Sequence, residues 1–175
     1  MNSHSYSEAV PVLTSHNVIN IQTQFAEQFQ AVARLRDLLP KPSFEAIRAL
    51  EISFCCSDLE PQTHDLENGD FFECWTQMCA MVGDMRALSS LHIWLNIGQE
   101  EPAGNVLSAA QEEKILTPLL GAGWLRLRYF QVEVSWPATT QSDNMLKEAP
   151  FTLVRMDNSE SPFLIPQMPK MVNLC

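Results

Sequence analysis

The chain has 175 residues, 46% apolar and 18% charged. That is enough apolar mass for one domain with its own core, and too little charge for a disordered segment. Its formal charge is -10, from 21 acids against 11 Lys and Arg, and no basic cluster stands out along the sequence, so nucleic acid and anionic membrane are not expected as partners.

In chain order, MNSHSYSEAVPVLTSHN at 1–17 reads as a flexible N-terminus. It lacks a basic start and an apolar stretch of signal-peptide length. No run in the chain approaches the roughly 18 apolar residues of a membrane span. A soluble, cytoplasmic protein is the expectation. From 21 to 39, the residues Ile21, Phe25, Phe29, Val32, Leu35 and Leu39 recur at helical spacing, and Pro40-Lys41-Pro42 ends the pattern. This predicts an N-terminal helix, packed at the edge of the first strand or across the polar face of the sheet.

Three stretches then share one pattern: LEISF at 50–54, LHIWL at 91–95 and FQVEV at 130–134. Each alternates in side-chain character, as a strand with one buried face does. Between the first two, FFECWTQMCAMVGDM carries Phe71, Trp75, Met78, Val82 and Met85 at three- and four-residue steps, a helix that Asn68 or Asp70 would cap. Between the second and third, a helix starts near Ser108, with Glu112 beside it as a start signal, and stops at Gly121 or Gly123. Pro118 predicts a kink or break near Thr117. FTLVRM at 151–156 predicts a further strand, and 57–69, 98–106 and 137–150 read as loops. The tail at 161–175 is apolar and proline-rich, and is expected to lie as an extended arm.

From Leu50 to Leu91 is 41 positions and from Leu91 to Phe130 is 39. Connections of that length suit parallel strands joined by helical crossovers, which right-handedness places on one face. The expectation is a single α/β domain, 1–175. Its mostly parallel sheet would have about four strands with crossover helices mainly on one face, in a leucine-rich-repeat-like arc.

Alternation then assigns the other face. Glu51 and Ser53, His92 and Trp94, and Gln131 and Glu133 share it. Glu51, His92 and Gln131 form one row if the strands are neighbours in this register, with Trp94 and Glu133 one step along. A carboxylate beside an imidazole orients its tautomer, which suits general acid–base work. His92, Glu51 and Glu133 are the candidate catalytic residues, and Trp94, Gln131 and Ser53 the candidate ligand contacts. The same residues also suit an ordinary solvated face. An exposed Trp on such a face usually meets a ligand, a partner or a covering segment.

The five cysteines are Cys55, Cys56, Cys74, Cys79 and Cys175. Their odd number and the absence of a Cys-x-x-Cys pair predict free thiols and no structural metal, even with His64 nearby in sequence. No glycine-rich phosphate loop, Gly-x-Ser-x-Gly or His-Glu-x-x-His occurs, so no cofactor is expected.

FEAIRALEISF, VGDMRALSSLHIWL and ILTPLLGAGWLRLRYFQVEVSWP, with Trp75, Arg86, Pro118 and Trp136 as anchors, carry a resemblance. Over roughly residues 44–155 the chain resembles the C-terminal part of a fungal family of uncharacterised proteins. That family shows an F-box-like start followed by "IRxLxI", "MPxLRxLxV", "LLxPL" and "FxVxLPW" segments. Here no Leu-Pro-x-Glu-Ile segment precedes the first strand. The family brings no activity with it, so no functional residue follows from the resemblance. Two functions are expected from the residues: a module binding a small-molecule ligand or protein partner, with a homodimer through the C-terminal arm, or a small cofactor-free isomerase, cyclase or hydrolase of fungal small-molecule biosynthesis.

Overall fold

A computed structural model describes residues 18–23, 29–55, 70–97, 107–137 and 146–156. The terminal segments 1–17 and 161–175, and the expected loops at 57–69 and 98–106, lie outside the described residues, as do Cys56 and His64. Among the described residues, no helix is long and apolar enough to cross a membrane.

Five strands pair in sequence order into one all-parallel sheet: β1 (Val18–Thr23), β2 (Ala49–Cys55), β3 (Ser90–Asn96), β4 (Tyr129–Val134) and β5 (Thr152–Arg155). The three alternating stretches are β2, β3 and β4, paired in the register their patterns imply. Leu50 lies beside Leu91 and then Phe130, and Ile52 beside Ile93 and then Val132. FTLVRM supplies β5, which pairs Val132 with Leu153.

The strand count and the N-terminal helix both differ from expectation, and for one reason. VINIQT is a strand, so the helix of this region is α1 (Gln30–Leu38) and does not begin at Ile21. The Ile21–Phe25–Phe29 spacing mimics a helical stripe. Ile19, Ile21 and Thr23 also alternate, and here pairing with β2 decides. Ile21 lies beside Ile52, and the buried Thr23 hydroxyl donates to the Ser53 carbonyl at 3.2 Å. Nor does α1 cover the polar face. Its Val32, with Phe29 before it, enters the core, where the Phe29 ring meets Phe54, Phe71 and Trp75.

The short α2 (Lys41–Glu45) opens at Pro40, with a proline in its first turn, where a missing N–H is harmless. The first long crossover is α3 (Asp70–Gly83). It buries Phe71, Trp75, Met78, Cys79 and Val82 against the sheet, the stripe its spacing predicts. The second crossover begins with α4 (Ala109–Leu116). Ser108 and Gln111 form a reciprocal capping box at its start, so the partner of the cap is Gln111. The helix gives way at Thr117 to a tight turn at Thr117–Leu119, as Pro118 requires, and a second short turn at Ala122–Arg126 leads to β4. Trp75 Nε1 donates to the Ile115 carbonyl at 2.8 Å, locking α3 to α4. Within 137–150, Leu146–Glu148 form one turn.

In a sheet of sequential parallel order, right-handed crossovers, the rule for such connections, put their helices on one side, and the described helices α1, α3 and α4 share that side. One core cluster results. It joins the apolar rows of the strands to residues of α1, α3 and α4.

Candidate functional site: the polar face of the sheet

On the side away from that core, two adjacent rows of side chains hold the candidate residues. One runs Asn20, Glu51, His92, Gln131, Thr152; the next runs Gln22, Ser53, Trp94, Glu133, Val154. All six residues picked out by alternation therefore sit on neighbouring strands. No Lys or Arg occupies a position in either row, while Glu51 and Glu133 stand on strands flanking His92.

The hydrogen bonds divide this surface into two parts. Glu51 lies directly across from His92, but its carboxylate accepts from Asn20 Nδ2 at 3.0 Å. The carboxylate that meets the imidazole is Glu133, whose Oε1 is 3.1 Å from His92 Nε2. The contact is off the N–H axis. Nε2 is shielded from solvent and makes no hydrogen bond. Glu133 Oε1 also accepts from Gln131 Nε2 at 2.5 Å, and Gln131 Oε1 in turn accepts from the Tyr129 hydroxyl. Tyr129, Gln131, Glu133 and His92 thus form a connected polar line along β4 and across to β3. The imidazole keeps 31% of its side-chain surface and Glu133 keeps 19%, so the line remains reachable.

Trp94 departs from expectation. It is not an exposed aromatic: only 5% of its surface is accessible, although it stands outside the core cluster. Its indole N–H donates to Met156 Sδ at 3.3 Å. Met156 follows β5, and its backbone N–H is tied to the Val134 carbonyl at 2.9 Å. Sulfur at the edge of an indole is a favourable soft contact. Trp94 therefore forms part of the floor, beside the reachable His92 and Glu133, and does not project as an anchor. Ser53, beside it, is half-buried.

A second polar cluster escaped the sequence reading. Glu112, only 1% exposed, receives Arg155 Nη2 at 2.7 Å and Trp136 Nε1 at 3.2 Å. Arg155 also donates to the carbonyls of Trp136 and Pro137. The signal was present. Glu112 shares a helical stripe with Ile115, Leu116 and Leu119, and a charge in an apolar stripe needs a buried partner. The cluster closes α4 onto β5, on the side away from the polar face.

Cys79 is a free thiol inside the core, and burial pushes it up, further from the reactive thiolate. Among the described residues, no three His, Cys, Asp or Glu side chains are placed to hold a metal ion.

No curated protein and no solved structure matches the chain. The sequence pattern of a domain of unknown function (DUF7730) matches residues 3–156. With most of its 175 residues inside that match, the protein belongs to the DUF7730 family.

Proposed function

We propose that the protein is a ligand- or partner-binding module that works through the polar face of its sheet, at His92, Gln131 and Glu133 above the buried Trp94. The observation that carries this reading is the connected line Tyr129–Gln131–Glu133–His92 on a half-exposed face. A merely solvated face satisfies its polar groups with water, whereas side chains tied to one another are held ready for an incoming group. Further support comes from the sequential parallel order, one strand per crossover. A leucine-rich-repeat arc has the same order, and such solenoids bind through extended surfaces of this kind. The acceptors Glu51, Ser53 and Glu133 favour a ligand rich in hydrogen-bond donors, uncharged or cationic. The fungal resemblance makes small molecules of fungal metabolism in the cytoplasm the first class to try.

One observation favours a second reading, a cofactor-free isomerase, cyclase or hydrolase. His92 Nε2 lies 3.1 Å from a carboxylate oxygen without a hydrogen bond of its own. The ring itself keeps 31% of its side-chain surface beside that carboxylate, so a substrate meeting its open part would find His92 as acid–base group with Glu133 and Glu51 beside it.

One experiment tests both. Wild type, His92→Ala and Glu133→Gln are purified and exposed to a fungal metabolite extract, and bound molecules are identified by native mass spectrometry. The module reading expects a retained compound that both variants lose while melting near wild type. The enzyme reading expects the variants to retain the compound and wild type to convert it. Equal retention by all three, without conversion, removes both readings.

A further inference from the structure

The basic residues are scattered in sequence, but the fold brings six of the eleven to one edge. Arg36, Arg48, Arg86, Arg126, Arg128 and Lys147 all fall on segments that lead into the N-terminal ends of strands, so they share one edge of the sheet. Two are engaged. Arg36 pairs with Asp84 at 3.8 Å, and Arg126 Nη2 donates to the carbonyls of Gly83 and Met85 at the end of α3. Arg48, Arg86 and Arg128 are exposed, and among the described residues their side chains form no ion pair or hydrogen bond.

Backbone bonds set their spacing. Ser89 N–H donates to the Arg48 carbonyl, and Arg128 N–H to the Ser89 carbonyl, each at 2.9 Å. Arg48 and Arg128 therefore stand two strands apart, about 10 Å between Cα atoms, with Arg86 just before Ser89 in the turn between. The segments 46–49, 85–90 and 121–129 contain no Asp or Glu. Large apolar side chains stand open on the same edge, among them Leu125 at 72% and Leu38 at 77% exposure. The nearest acid in sequence to Arg86, Asp84, is taken by Arg36; the three guanidinium groups left over repel one another, and their forked donors fit carboxylates of a partner.

We propose that this edge docks an acidic peptide segment of a partner protein, with carboxylates on Arg48, Arg86 and Arg128 and an apolar residue on Leu125. Charge complementarity selects the occupant. A long nucleic acid would extend beyond the edge onto a protein of net charge -10, while a short acidic segment stays within the basic sector. The exposed leucines also offer contacts that a phosphate backbone does not use. This surface is separate from the polar face, and its test does not depend on the function proposed there.

The test is fluorescence anisotropy with the full chain and a short fluorescein-labelled peptide of alternating Glu and Leu. The same peptide with Gln for Glu, and a single-stranded DNA oligonucleotide, serve as competing probes. The expected result is binding of the Glu peptide alone, weakened steeply by salt. The double variant Arg48→Ser/Arg128→Ser should lower affinity by about 10-fold or more. If that variant melts early, Arg86→Glu, in a turn and without a side-chain bond, should give the same loss. No binding of the Glu peptide by wild type, equal binding of the Gln peptide, tighter binding of DNA, or unchanged affinity in properly folded variants would each overturn the proposal.

Discussion

Arg155 and Met156 are consecutive residues that secure opposite sides of the sheet. The Arg155 guanidinium closes on Glu112 at 2.7 Å on the helix side, while Met156 Sδ accepts the Trp94 indole N–H at 3.3 Å on the polar side. Strand alternation makes this arrangement automatic. The four-residue edge strand β5 is thereby held by a buried ion pair on one face and by a covered tryptophan on the other.

The ion pair should be asymmetric. Arg155→Met leaves the Glu112 carboxylate buried with its countercharge removed, and should cost about 3–5 kcal/mol in urea melts. Glu112→Gln leaves Arg155 partly reachable by water and should cost less. The double change Glu112→Leu/Arg155→Met should recover much of the loss, because neither charge is then desolvated. A double variant as unstable as the sum of the two singles would show that the pair does not act as a unit.

Trp94 and His92 should separate on the polar face. Trp94→Ala removes a covered indole and its contact with Met156, and is expected to cost about 3 kcal/mol. His92→Ala, on a side chain with 31% of its surface open, should stay within about 1 kcal/mol of wild type. Thermal melts of both variants check the ordering. The reverse order would place Trp94 outside the packed floor.

Within the core, position in the sheet should set the size of the effect. Ile93, 1% exposed on the central strand, has sheet neighbours on both sides. Ile93→Ala should cost about 2–5 kcal/mol through lost burial and the cavity left. Ile21, 8% exposed on β1, pairs with β2 alone. Ile21→Ala should cost clearly less, measured by denaturant midpoint at constant slope.

Cys79 should resist alkylation in the native state. Burial raises its pKa, so thiolate is scarce, and the site admits little reagent. Iodoacetamide labelling followed by peptide mass spectrometry should find this cysteine unmodified in the folded protein. It should become modified in step with global unfolding in urea. Rapid labelling without denaturant would mean that α3 opens locally.

Leu50 to Phe54, Leu91 to Leu95 and Phe130 to Val134 each write the two-residue period of a strand into five positions, so the sequence by itself determined these elements, their buried faces and their register. The helix start at Ser108 and the break at Pro118 were equally local, because both act within one helical turn, although the cap's partner is Gln111 and not the expected Glu112. What the sequence could not decide depended on partners far along the chain. Ile21 satisfied both a helical and an alternating pattern, and only pairing with Ile52 settled it as a strand. The carboxylate beside His92 was Glu133, reached diagonally, because Asn20 on β1 engaged Glu51. Trp94 gave its indole N–H to a residue 62 positions away, and Glu112 paired with one 43 positions away. Periodicity encodes which way a side chain points. What it meets there depends on how distant segments pack, and that was decided only by the tertiary structure.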